Sequence, residues 1–146
     1  MPEEYTLDFE ASGPELPVDS ILGGSQPTCP VEVWRVGEKV AGGRVAKSSG
    51  LRITIASRLG KHAAEQALLR FFSDQANFLS HLMAFRDQME EQFVRCIMCV
   101  YRDNASYFEL SLPLLTHLKT TSTEFVLAAW PCDDPASATR ANGTDA

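Results

Sequence analysis

Hydrophobic and polar residues alternate along residues 5–11, which read Y-T-L-D-F-E-A. A period of two predicts a β-strand with one buried face. Residues 17–22 are predicted to form a short helix, because proline is tolerated in a first helical turn and Gly23-Gly24 supplies a C-terminal stop. The chain therefore opens with a strand followed by a short helix.

Two further strands are predicted before the middle of the chain. The first covers residues 31–36, with Val31 and Val33 on one face and Trp34 on the other, and Pro30 at its start favours a sheet edge. The second covers residues 51–55, which alternate again. The intervening residues are rich in glycine and in basic side chains and show no convincing periodicity, so they are interpreted as a connection.

The period becomes helical between residues 62 and 89, where apolar residues recur at steps of three and four. One unbroken helix of this length would be about 42 Å long, nearly the width of the domain. Ser73-Asp74 can cap a second segment, so we predict two helices or a kink near residues 73–75. The wide apolar stripe is interpreted as core, with surplus width for a homodimer contact.

The last third of the chain begins with residues 93–101, which are apolar at nearly every position. This is typical of a central strand covered on both faces. Asp103-Asn104 is predicted to turn the chain, so that residues 105–110 pair back as a hairpin.

A helix over residues 112–119, capped by Ser111, and a strand over residues 123–130 complete the predicted elements. Helices interspersed among strands predict an α+β fold. We expect a two-layer sandwich with a mixed, mostly antiparallel sheet of five to six strands and helices on one face. Residues 1–132 are predicted to form this single domain, and residues 133–146 are predicted to be a disordered polar tail.

The composition is typical of a globular protein. A chain of 146 residues with 45% hydrophobic residues can bury one core. No apolar run approaches the roughly 18 to 20 residues that span a bilayer, and no signal peptide is visible. The four cysteines are therefore interpreted as reduced thiols in the cytoplasm, and we expect no membrane contact.

The net charge of −6 is distributed unevenly. Six acids and no base precede residue 20, whereas seven bases and two acids lie between Glu32 and Lys61. Such asymmetry can mark a polar partner surface. Our interpretation is that the two segments complement each other or stay solvated.

No residue pattern commits the chain to catalysis, a cofactor or a metal. Cys96 and Cys99 lie three apart on a predicted strand and point to opposite faces, which prevents them from sharing a metal ion. Residues 41–48 end in Lys-Ser but have alanine where a phosphate-binding loop needs glycine. We predict no catalytic, cofactor-binding or metal-binding residues.

The best candidate for a partner-binding site is a tryptophan followed by basic residues: Trp34, Arg35, Lys39, Arg44 and Lys47. Tryptophan and arginine are enriched among the residues that dominate binding energy at protein interfaces. The same residues could stack on and neutralise nucleic acid, although an isoelectric point near 5.0 argues against this. The structural alternative is a core tryptophan beneath a solvated loop.

The order and spacing of several short motifs resemble a known family: Phe9-x-x-x-Gly13, Ile21-Leu22-Gly23, Pro27-Thr28, Trp34-x-x-Gly37-Glu38, Ser49-Gly50-Leu51, Leu110-Ser111-x-x-Leu114-x-x-x-Leu118 and Phe125-Val126-Leu127. This is the bacterial domain of unknown function 4279, and the resemblance covers residues 5–130. It departs at Leu51, where the family often has an aromatic residue, and at Ala128-Ala129, where it has an acidic residue. The resemblance implies a small cytoplasmic α+β domain and no enzyme.

Three functions remain open at this point. The first is a non-catalytic interaction protein, of the immunity-like or phage-encoded inhibitory kind, that occupies a surface of a protein partner. The second is a small-ligand binder or small enzyme with a pocket lined by Trp34, Arg52 and a histidine. The third is a nucleic-acid binder that acts through its basic loop.

Overall fold

The computed structural model describes residues 4–100 and 108–131. Nine regular elements follow one another in these residues: β1 (Glu4–Gly13), α1 (Val18–Gly24), β2 (Val31–Trp34), β3 (Ser49–Leu59), α2 (Lys61–Asp74), α3 (Ala76–Met83), β4 (Glu91–Val100), α4 (Leu112–Thr120) and β5 (Glu124–Pro131). Single 3₁₀ turns occur at Ala41–Gly43 and Arg86–Gln88.

The five strands form one mixed sheet in the order β2-β3-β1-β4-β5. β1 lies at the centre and runs antiparallel to both β3 and β4, β2 is antiparallel to β3, and β5 is parallel to β4. The predicted α+β sandwich, with a mostly antiparallel sheet and helices on one face, is confirmed. Among the described helices, none has the length and apolar character needed to cross a bilayer.

The core lies between the helices and the inner face of β1. Tyr5, Leu7, Phe9 and Ala11 are fully buried there, as their alternation predicts. Their neighbours across the strands are also buried, among them Ile53 of β3 and Val94 of β4, because pairing in register brings inward side chains together. The position of the core is thus set by one strand with a period of two.

The helical layer packs on this face through the predicted apolar stripe, whose buried members are Ala64, Leu68, Phe71, Phe72, Phe78, Leu79 and Leu82. The stripe is interrupted between α2 and α3, where the prediction placed a break. Gln75 stands at the break, and its buried side chain accepts a hydrogen bond from the Thr28 backbone N–H at 3.0 Å. The break therefore ties the helices to the proline-bounded segment before β2.

Two local predictions differ from the structure. Ser73-Asp74 belongs to α2 and caps nothing, because α3 begins after Gln75 without a side-chain cap. β4 is covered by helices on one face only, and Phe93 and Ile97 on its other face are half-buried. Residues 37–48 belong to the connection between β2 and β3, as interpreted from the sequence, and they contain a 3₁₀ turn and an isolated bridge between Lys39 and Val45.

The predicted hairpin after β4 is also wrong in its described part. Residues 108–110 form no strand. Both edges of β4 are already occupied, by β1 along residues 91–99 and by β5 along residues 93–100. The predicted turn at Asp103-Asn104 and the predicted tail over 133–146 lie outside the described residues.

Replacing a core leucine of α3 will measure how much this packing contributes. Leu82→Ala removes a fully buried side chain and is expected to lower the free energy of unfolding by about 2–5 kcal/mol, through lost burial and a residual cavity. Leu115→Ala on α4 is the matched control, because Leu115 is exposed and the expected change is within about 0.5 kcal/mol. Urea unfolding monitored by circular dichroism compares the two, and equal effects would show that α3 does not pack on the core.

Candidate binding cleft on the open sheet face

The face of the sheet opposite the helices carries rows of paired charges. The outward carboxylates of β1 each meet an arginine on a neighbouring strand: Glu4 meets Arg58 at 2.8 Å, Asp8 meets Arg95 at 3.6 Å and Glu10 meets Arg52 at 2.9 Å. Two of these arginines lie on β3, within the basic segment of the sequence. The acidic start of the chain and the basic segment therefore complement each other, as interpreted above.

The connection between β2 and β3 folds back on itself to form a flap, which we define as residues 35–48. Its two arms are joined by backbone hydrogen bonds from the Gly37 N–H to the Ala46 carbonyl at 2.9 Å and from the Ala46 N–H to the Glu38 carbonyl at 2.8 Å. The tip turns through Gly42 and Gly43, whose φ angles of 85° and 75° are strained for other residues. The flap is an ordered element without a hydrophobic period.

The base of the flap is attached to α1 and β3. Arg35 donates two hydrogen bonds to Asp19, with distances of 3.0 Å from Nε and 2.6 Å from Nη2, and a third to Glu38 at 3.3 Å. These hydrogen bonds to Arg35 hold the pKa of Asp19 below its usual value. The Val36 N–H also donates to the Ser49 hydroxyl at 2.9 Å. Arg35 is thus occupied in fixing the flap.

A cleft of about 540 Å³ lies between the flap and the open face of the sheet. Its walls are formed by the side chains and backbone of the following residues: Glu10, Glu32, Val33, Trp34, Glu38, Lys39, Val40, Ala41, Ala46, Lys47, Ser48 and Arg52. Trp34 provides its aromatic surface, and the Arg52 guanidinium carbon lies 5.8 Å from the centroid of the Trp34 ring. That distance is suitable for a cation–π contact.

Arg52 is held in place from two sides. Its Nε and Nη2 atoms both donate to one Glu10 oxygen, Oε1, at 3.0 Å and 2.9 Å, and its Nη1 lies 3.6 Å from a Glu32 oxygen. Glu10 is largely buried beneath it. Because the arginine is satisfied by carboxylates and by the indole ring, its main role here is to form a rigid wall of the cleft.

Three cations of the flap have no such partner. Among residues 4–100 and 108–131, no carboxylate lies within ion-pair distance of Lys39, Arg44 or Lys47. All three are exposed, and Lys39 and Lys47 line the cleft. In contrast, the cleft carboxylates Glu10, Glu32 and Glu38 each lie near an arginine. The cleft lining thus carries three carboxylates and three cations, and Lys39 and Lys47 are the two cations of the lining without a carboxylate partner among the described residues.

The structure brings together only part of the predicted partner-binding set. Trp34, Lys39 and Lys47 line the cleft, Arg44 lies at the exposed tip of the flap, and Arg35 pairs with Asp19 and Glu38 instead. Trp34 is half-buried beside the flap, between the two alternatives that the sequence left open.

The predicted Trp34–Arg52 pocket exists, but no histidine lines it, because His62, His81 and His117 belong to α2, α3 and α4. Sequence reasoning missed Glu10 as a member of the site. The available signal was its outward position in the alternation of β1, together with the charge complementarity of the two segments.

The cysteines form no shared site in the described residues. Cys29 and Cys96 are free thiols, whereas Cys99 is disulfide-bonded, so the expectation of four reduced thiols is wrong at that position. No group of three potential ligands from histidine, cysteine, aspartate and glutamate is placed to hold a metal ion in the part of the chain that the structure describes.

Comparisons with protein-family models, with curated proteins and with solved structures found no match. The resemblance to the bacterial domain of unknown function 4279 therefore stays a prediction.

A methyl group at Gly50 will test whether β3 supports the indole ring. An added Cβ would meet the Trp34 ring and lie 2.8 Å from the Ala11 carbonyl oxygen. We expect Gly50→Ala to displace Trp34, to change its fluorescence and to lower the free energy of unfolding by about 1–3 kcal/mol. Gly23→Ala is the control, because an added Cβ there meets nothing within 4 Å. An unchanged emission spectrum in Gly50→Ala would contradict the described packing.

Burial governs the chemistry of Cys96, since it raises the pKa of this thiol to about 12. The raised value favours the neutral thiol in the folded state, so its contribution to stability is complete below pH 9 and is lost as the pH rises from 9 towards 12. At pH 8 we expect iodoacetamide to leave Cys96 unmodified in the folded protein and to modify it in urea. Peptide mass mapping checks this, and rapid modification without denaturant would show that Cys96 is accessible.

Proposed function

We propose that this protein is a non-catalytic binding protein that recognises an acidic segment of a partner protein at the cleft beneath the flap. The observation that carries the proposal is that Lys39 and Lys47, which line a cleft of about 540 Å³ together with Trp34, have no carboxylate partner in the part of the chain that the structure describes. An acidic segment would supply the missing charges, and the indole ring would supply apolar contact.

The chemistry of the cleft favours a protein segment for two reasons. Tryptophan is enriched among the residues that dominate binding energy at protein interfaces. Charged residues at an interface mainly determine how fast and how selectively a partner associates, because they repel partners that carry the same charge. An overall net charge of −6 would repel nucleic acid outside the flap, so the flap gives local selectivity within an acidic molecule.

An immunity-like or phage-encoded inhibitory factor works by such occupation of a partner surface, and this is the kind of role that we propose. We place that role in the cytoplasm on the ground of the family resemblance. The proposal needs no turnover, because every residue that carries it acts by contact or by charge.

A small organic anion is the second candidate occupant. Its support is the volume of the cleft, which lies within the range of about 300–1,000 Å³ that small-ligand pockets cover. An anion with a flat ring could contact Trp34 and the lysines together. The experiment below separates this occupant from a protein by size.

Capture of the partner from an extract of the native host tests the proposal. We expect the double variant Lys39→Ala/Lys47→Ala to bind the partner about tenfold more weakly than the unchanged protein, because two exposed charge pairs of up to about 1 kcal/mol each are lost. Capture should also weaken as salt is raised. Quantitative mass spectrometry of the retained proteins, with direct binding of the identified partner, measures both effects.

The matched control is Arg70→Ala/Lys119→Ala, which removes the same charge from exposed helix positions away from the open face. It should bind like the unchanged protein. If both double variants lose partner binding equally, the loss results from the change in net charge rather than from the cleft, which would contradict the proposal. If nuclease treatment destroys the captured material, the flap binds nucleic acid instead of a protein. If the captured material passes a filter that retains proteins, the occupant of the cleft is the small organic anion.

A further inference from the structure

The two edges of the sheet are protected very differently. At one edge, β2 is only four residues long, follows Pro30, carries Glu32 and continues into the flap. At the other edge, β5 is eight residues long and pairs only with β4 among the described strands. Short length, proline and charge are the usual means by which proteins prevent an edge strand from pairing with another chain.

β5 has none of these protections along its central residues. Residues 125–130 read F-V-L-A-A-W and carry no charge. Val126 is 40% exposed, Leu127 48% and Trp130 61%, so apolar surface is exposed on both faces of the strand. Exposed valine, leucine and tryptophan side chains on one edge strand form the kind of apolar patch that interaction surfaces carry.

From this contrast we propose that β5 pairs antiparallel with β5 of a second copy of this chain, extending the sheet across a two-fold axis. The sequence of the strand is complementary to itself. With the axis at Ala128, Val126 lies opposite Trp130 of the second copy, and this pair occurs twice. Aromatic and β-branched residues form favourable cross-strand pairs.

The charges of β5 fit this arrangement. Glu124 is the only charged residue of the strand. In the proposed register the two Glu124 residues lie eight positions apart along the strand, which is about 27 Å. A parallel arrangement in register would place them side by side, where like charges are destabilising. The antiparallel pairing therefore joins apolar residues and separates the carboxylates.

The proposal is independent of the occupant of the cleft, because the cleft lies at the opposite edge of the sheet. An axis perpendicular to the sheet keeps the open faces of both copies on the same side. The dimer would thus present two clefts, one at each end of a ten-stranded sheet, to a single partner surface.

The mass of the full chain in solution tests the pairing. Sedimentation across a concentration series should show the unchanged protein reaching twice the 16.1 kDa of one chain. Val126→Lys and Trp130→Glu should each raise the dissociation constant at least about tenfold, because a charge would be buried without a partner. Val45→Lys is the matched control, since Val45 is a flap valine with 56% exposure, and it should dimerise normally.

Mixing the two disrupted variants tests the register. A dimer of one Val126→Lys chain with one Trp130→Glu chain contains one lysine–glutamate pair and one original valine–tryptophan pair. We expect the mixture to dimerise at least about tenfold more strongly than either variant alone. Circular dichroism of each variant confirms that the exposed substitutions leave the fold intact.

Three results would overturn the inference. A single-chain mass at every concentration would mean that another molecule or another part of this chain covers β5. A dimer that survives Val126→Lys would lie on a different surface. A mixture that stays dissociated would exclude the register centred on Ala128.

Discussion

The pairing of β1 with β3 on one side and β4 on the other is the constraint on which the rest of this structure depends. The inward residues of β1, which are Tyr5, Leu7 and Phe9, lie in the core. The outward carboxylates of β1, which are Glu4, Asp8 and Glu10, form ion pairs with arginines of β3 and β4. A one-residue slip of register would expose the first set and bury the second without partners. The same strand therefore positions both the core and the polar face.

This arrangement explains why the open face carries many charged residues that lie in pairs of opposite sign. The Asp8 and Glu10 side chains are largely buried beneath their arginines, and these ion pairs fix the position of each arginine on the sheet. They assign each arginine of β3 and β4 to a carboxylate, whereas Lys39, Arg44 and Lys47 of the flap have no carboxylate partner among the described residues. The separation between matched charges on the sheet and unmatched charges on the flap is what makes the cleft a distinct chemical environment.

Local patterns predicted much of the fold. The alternation of residues 5–11, the helical stripe with a break near residue 75 and the Ser111 cap, which accepts from the Leu114 N–H at 3.4 Å, are each determined by neighbouring residues. The false hairpin after β4 has a different cause. Turn residues predict a reversal, but they do not reveal that β5 already occupies the edge that a hairpin would need.

The site was less predictable because its parts are distant in sequence. Arg52 and Glu10 are separated by 42 positions, and the need for glycine at position 50 is apparent only once the Trp34 ring lies against it. The flap has no hydrophobic period, since backbone hydrogen bonds and left-handed glycines order it. Its basic composition and its tryptophan were visible in the sequence, but the division between paired Arg35 and unpaired Lys39 and Lys47 was not.

The central claim is that the molecule acts through its open sheet face rather than through its helices. The two tryptophans report on opposite edges of that face, and their indole N–H signals can be assigned in nuclear magnetic resonance spectra with Trp34→Phe and Trp130→Phe. We expect the indole N–H signal of Trp34 to shift when the captured partner is added, while the chemical shifts of the backbone amides of α2 and α4 stay unchanged. Shifts confined to those helices, with the Trp34 signal unchanged at saturating partner, would contradict the account.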